Sequence, residues 1–122
     1  MTKALRVPDY LGHTLAIERI DRYTAELDEV EFLNSGLVQD AVIRNIEIIG
    51  EASNNILRVD PAFALQHDHI PWLVMYTMRN RVTHGYDTVD VEIVWKTIQG
   101  DLPVLHKNIA EVRKSLSRNL DQ

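Results

Sequence analysis

The 122 residues carry a formal net charge of −5, with 45% hydrophobic and 25% charged content, which suits one globular domain with its own core and excludes a disordered chain. No cysteine is present, so disulfides, thiolate metal sites and cysteine nucleophiles are excluded and a reducing compartment is natural. The stretch "MTKALRVPDYLGH" has no apolar leader core and no run is long enough to cross a bilayer, so a soluble cytoplasmic protein with no membrane partner is expected.

Net acidity argues against nonspecific coating of nucleic acid, which depends on neutralising phosphates, but leaves room for a small basic site. Basic residues gather at Arg79 and Arg81 and again at Arg113, Lys114 and Arg118, while acids crowd Glu26, Asp28, Glu29 and Glu31. A dipolar molecule follows.

Taken in chain order, the signals are helical. Pro8 and Asp9 suit a first turn, and Tyr10, Thr14, Ile17, Ile20, Thr24 and Leu27 recur at steps of three and four, giving a helix over about 8–27. The connector "DEVEFLNSG" ends in Ser35, a candidate cap for a second helix over about 36–58, whose stripe is Val38, Val42, Ile46, Ile49, Ser53 and Ile56. "RVDPAFALQHDHIP" reads as a loop with at most one turn, since Pro61 and Pro71 disfavour helix in the residue before each. A third helix over about 70–84 is apolar on nearly every side as far as Arg79, as expected of a helix that packs in a bundle or against a second copy. Gly85 is placed to end it.

The last segment steps by four and three through Val91, Trp95, Ile98, Leu102, Leu105, Ile109, Val112 and Leu116. One helix over about 90–118 is expected, capped by Asp90 and kinked where Pro103 cannot donate to the Gln99 carbonyl. Two helices with Asp101 capping the second would bury the same face. The fold class is all-α, a single domain of four or five helices with a long kinked C-terminal helix.

The chemistry concentrates in "MRNRVTHGY", residues 78–86. Asn80 and His84 are four apart and share a helix face, whereas Arg79 and His84 are five apart, about 140° around the axis. These residue types suit cleavage of RNA, whose 2′-hydroxyl is a built-in nucleophile. Histidine moves a proton near neutral pH, arginine holds the charge of the phosphorane, and an amide positions the site. No metal or cofactor is required, in contrast to DNA hydrolysis, which typically uses metal-held water. The competing reading is structural, with Arg79, Asn80 and His84 capping a helix end and its dipole.

Elsewhere the signals are weaker. "HDH" at 67–69 lacks further ligands and reads as loop. Glu47 and Glu51 suit a polar stripe with Arg44 or a supporting role beside Arg79. Trp72 and Trp95 read as core or dimer anchors, and His13 and His106 as surface residues.

Three blocks in order carry a family resemblance: "QDAVIRNIEIIGEAS" (39–53), "IPWLVMYTMRNRVTHGYDTVDVEIVW" (70–95) and "DLPVL" (101–105). Together the chain resembles the HEPN superfamily, specifically the HepT-like toxins of type VII toxin–antitoxin pairs. The resemblance implies a homodimeric, metal-independent endoribonuclease in which the R-x₄-H motif is Arg79 to His84 and two copies of it face each other across a cleft. It implies Asn80 as the polar residue after the arginine; Arg81, by its charge beside the motif, is expected to contact the RNA backbone. It implies Tyr86 as the tyrosine to which a minimal nucleotidyltransferase (MNT) antitoxin adds AMP. The added negative charge beside the arginines would then repel RNA. A different class stays open, a non-catalytic helical dimer that binds a nucleotidyltransferase or nucleotide; without a G-S-x-D motif the chain is not expected to be the AMP-transferring antitoxin itself.

Overall fold

The regular stripe around Ile46 and Ile49 builds the spine of the molecule, helix α3 (Gly36–Val59). Ser35 caps it, its hydroxyl accepting from the Val38 N–H at 3.3 Å, and Val42, Ile46, Ile49, Ser53 and Ile56 are buried along one side. In this computed structural model the described residues are the backbone of 2–84 and 91–120 and the side chains of 12–78 and 91–115. All regular structure among them is helical, and no described helix is long and apolar enough to cross a membrane.

Helix α1 (Thr2–Thr24) lies against α3 and buries Ala16, Ile17 and Ile20. The connection from 25 to 35, with Glu29–Leu33 wound into a helix, spans at most about 30 Å, too short to return over the roughly 35 Å length of α1, so the pair is antiparallel. Leaving α1, the Leu27 N–H closes a turn on the Thr24 carbonyl at 3.0 Å. The helix therefore ends three residues before the expected 27, and Asp28 begins a short helix, α2 (Glu29–Leu33). That helix is absent from the periodicity, yet it carries a full capping box: Asp28 accepts from the Glu31 N–H at 2.8 Å and Glu31 from the Asp28 N–H at 3.1 Å. Phe32, fully buried, is its core residue.

The stretch expected as a loop contains α4 (Pro61–Gln66). Pro61 acts there as a first-turn residue, where its missing N–H costs nothing, and Asp60 accepts from the Phe63 N–H at 3.1 Å. Helix α5 (Trp72–His84) follows and packs on α3. Met75, in its first turn, meets Ser53, which has six residues of α3 after it and seventeen before it. Staying alongside α3 requires α5 to run toward the N-terminal end of α3, the end that also holds α2.

The expected C-terminal helix is real but its irregularity differs. Helix α6 (Val91–Lys96) passes through a π turn, Thr97–Asp101, into α7 (Leu102–Leu120). The Leu102 N–H bonds the Thr97 carbonyl, five residues back. Pro103 leaves the Gln99 carbonyl without its usual donor and would crowd it; widening one turn moves that carbonyl aside. The buried face survives the turn, with Val94, Ile98, Leu102, Leu105, Ile109 and Val112 inside. α7 lies along α1 and α6 meets α2. The result is an all-α bundle with α1 and α3 central, α5 flanking α3 and α7 flanking α1.

Candidate active site

The motif residues Arg79, Asn80, Arg81 and His84 occupy the last two turns of α5, and their side chains lie outside the described residues. Tyr86, Gly85 and Asp90 lie outside them altogether. What the backbone supplies is register. α5 is α-helical through His84, so Arg79 and His84 stay about 140° apart around the axis and about 7.5 Å apart along it.

The described half of α5 identifies the two faces. Trp72 and Met75 are buried at 3% and 4% exposure, whereas Leu73 and Val74 are 62% and 63% exposed. Arg79 falls within about 40° of the Trp72 and Met75 positions, on the packed line of the helix. His84 and Asn80 fall within about 20° of Leu73, and Arg81 within about 20° of Val74, on the open line. The helix does not tighten at its end, so the motif's arginine and histidine positions belong to different faces of one chain.

The open face of α5 is unusually apolar. Leu65, Leu73, Val74 and Val104 are all more than half exposed. A shallow depression of about 370 Å³ runs beside Leu65, Pro71, Leu73 and Val74. A second groove, of about 330 Å³, separates α5 from the start of α7, with Met75, Met78, Leu102 and Leu105 in its lining and His69, Asp101 and Asn108 among its polar groups.

The packed face holds a buried polar group that the sequence reading missed. His13, expected at the surface, is fully buried on α1, and its Nε2 lies 2.9 Å from Ser53 Oγ on α3. The Ser53 hydroxyl has one proton, and its best acceptor is the Ile49 carbonyl at 2.9 Å, with Met75 Sδ farther off at 3.7 Å. With that proton on the Ile49 carbonyl, the Nε2-protonated tautomer of His13 donates to Ser53. The ring also meets Trp72 edge-on, centroids 5.9 Å apart. Residues 13, 17, 20 and 24 step by four, three and four, a periodicity that marks His13 as inward-facing.

Around the entry to α5, Trp72 donates its indole N–H to the His67 carbonyl at 3.2 Å. The His67 ring tilts over Phe63, centroids 4.4 Å apart. Burial, and then the neighbouring His69, push the His67 imidazole below the ordinary histidine value. His106 is half-exposed with Nε2 3.9 Å from a Glu18 carboxylate oxygen. Glu47 pairs with Arg44 at 3.5 Å, the polar stripe expected of α3. Trp95 is partly buried, packed against the core.

The chain matches the family model described as Ribonuclease HepT-like over residues 14–112. It is similar to a Thermococcus cleftensis protein named "Probable ribonuclease HepT", 43% identical over 107 residues that cover 87% of this chain and 94% of the relative. It is also 39% identical, over 111 residues, to a Methanocaldococcus jannaschii protein named "Gamma-glutamylcyclotransferase and putative RNase". That match covers 90% of this chain and 49% of the relative, so the chain spans about half the length of that protein. A Caldanaerobacter subterraneus protein named "Putative RNase" is 32% identical over 108 residues, 84% of this chain and 90% of the relative. No solved structure matches the chain significantly.

Proposed function

Since the chain belongs to the ribonuclease HepT-like family, within the HEPN superfamily, we propose that it is the RNA-cleaving toxin of a type VII toxin–antitoxin pair and that it works as a homodimer. The observation that carries this reading is the register of α5. One chain sets the Arg79 and His84 positions on different faces, and the His84 line continues from the exposed Leu73. A two-fold pairing through the open face of α5 would cover that apolar surface and bring two copies of the motif together.

In the cleft so formed, His84 takes the proton of a ribose 2′-hydroxyl as its oxygen attacks the adjacent phosphorus. The bond to the 5′-oxygen breaks, and that oxygen receives a proton. Arg79 holds the negative charge of the phosphorane, Asn80 positions the imidazole or a phosphate oxygen, and Arg81 contacts the RNA backbone. The products are a 2′,3′-cyclic phosphate and a 5′-hydroxyl, and no step calls for a metal or cofactor. An MNT-type partner would silence the site by transferring AMP from ATP to the Tyr86 hydroxyl, with release of pyrophosphate. The AMP phosphate adds bulk and negative charge beside the arginines.

The test is cleavage of tRNA and mRNA by the purified chain in EDTA. Cleavage that persists under chelation and disappears in His84→Ala supports the mechanism. Activity lost on chelation, or undiminished in His84→Ala, overturns it.

A further inference from the structure

We infer that His13 is a positioning residue for the α5 site, acting through Ser53 and Trp72. The inference rests on the reading of α5 as the helix that carries Arg79 and His84.

The contacts fall on the line of α5 that leads to Arg79. His13 donates to Ser53 at 2.9 Å, and Ser53 Oγ stands 3.7 Å from Met75 Sδ. The imidazole edge packs on the Trp72 ring, centroids 5.9 Å apart. Trp72 and Met75 occupy positions within about 40° of Arg79 around the helix, and Met75 is one turn before it. His13 thus joins α1 to α3 by a hydrogen bond and touches α5 at its first residue.

Packing alone would not need a polar pair here. Ile17, one turn after His13 on α1, and Ile49, one turn before Ser53 on α3, are fully buried. An apolar contact tolerates a small roll or slide of a helix, whereas a buried hydrogen bond is directional and weakens steeply as its geometry departs from alignment. A small roll of α5 at Trp72 and Met75 is carried down the rigid helix to the motif, where misplacement of a reacting group lowers turnover rather than binding.

The test uses His13→Phe and Ser53→Ala, which remove the donor and the acceptor, and His13→Gln, which keeps an N–H donor. Thr24→Val is the control; its buried hydroxyl bonds only the Ile20 carbonyl of its own helix. On a single-stranded RNA oligonucleotide, kcat of the folded protein should fall about tenfold in His13→Phe and Ser53→Ala with KM changed by less than about twofold, and His13→Gln should recover most of it. Hydrogen exchange of the α5 amides should quicken in the same two variants while α7 is unchanged. Thr24→Val should lower Tm without moving kcat or α5 exchange.

Should His13→Phe fail to fold, Ser53→Ala and His13→Gln decide. A Ser53→Ala protein with lower Tm but wild-type kcat and α5 exchange overturns the inference, as does His13→Gln behaving like His13→Phe. A wild-type chain that leaves RNA intact contradicts the nuclease reading, and the exchange comparison then decides the role of His13 alone.

Discussion

The rings of Phe32 and Trp95 lie 5.2 Å apart, tilted by 35°, and this contact joins α2 to α6. Phe32 is fully buried although α2 has only five residues. So short a helix has little stability of its own, and its caps and this packing hold it in place.

Asp28→Ala therefore removes an acceptor and one half of the capping box. We expect a loss of about 1 kcal/mol, a few degrees in Tm, with a red shift of Trp95 fluorescence as Phe32 loosens. An unchanged Tm and emission would show that α2 is held by Phe32 alone.

Legibility follows from which forces set each element. α3 is predicted to within a residue at either end because a cap and an uninterrupted stripe agree. α2 and α4 escape periodicity because caps, not a repeating face, define them: Asp28 with Glu31, and Asp60 with Pro61 at the first turn. Pro103 announces an irregularity, but whether the helix kinks or widens depends on keeping Ile98 and Leu102 inside together, a tertiary condition. The motif is legible as residue types. Its assembly is not, because five residues on an α-helix place Arg79 and His84 on different faces of one chain.

The depressed pKa of His67 predicts a pH dependence. Its neutral form is favoured in the fold, so the unfolded chain binds a proton first as pH falls. The contribution is complete above about pH 6.5, the unperturbed value, and is lost as pH drops below it. Thermal unfolding between pH 7 and 5 should show a shallower slope for His67→Asn than for the wild type. Equal slopes would contradict the assignment.

The apolar open face predicts an oligomeric state. Leu73→Asp combined with Val74→Asp should convert a dimer to a monomer in light scattering, with helical circular dichroism retained because both side chains are exposed in the single chain. RNA cleavage should be lost with the dimer. A double variant that remains dimeric would remove this face from the interface.

Tyr86 is proposed as a switch rather than as a catalytic group. Tyr86→Phe should cleave RNA at close to the wild-type rate yet gain no AMP by intact mass after co-expression with an MNT-type nucleotidyltransferase. Continued addition of AMP at the same site count would reassign the acceptor.

The most direct measurement mixes Arg79→Ala and His84→Ala proteins, each inactive alone, after exchange of their subunits. If the guanidinium of one copy serves the imidazole of the other, the mixed dimer retains one intact pair and recovers RNA cleavage in EDTA. A mixed dimer that forms but stays as inactive as its parents contradicts a site shared between two chains.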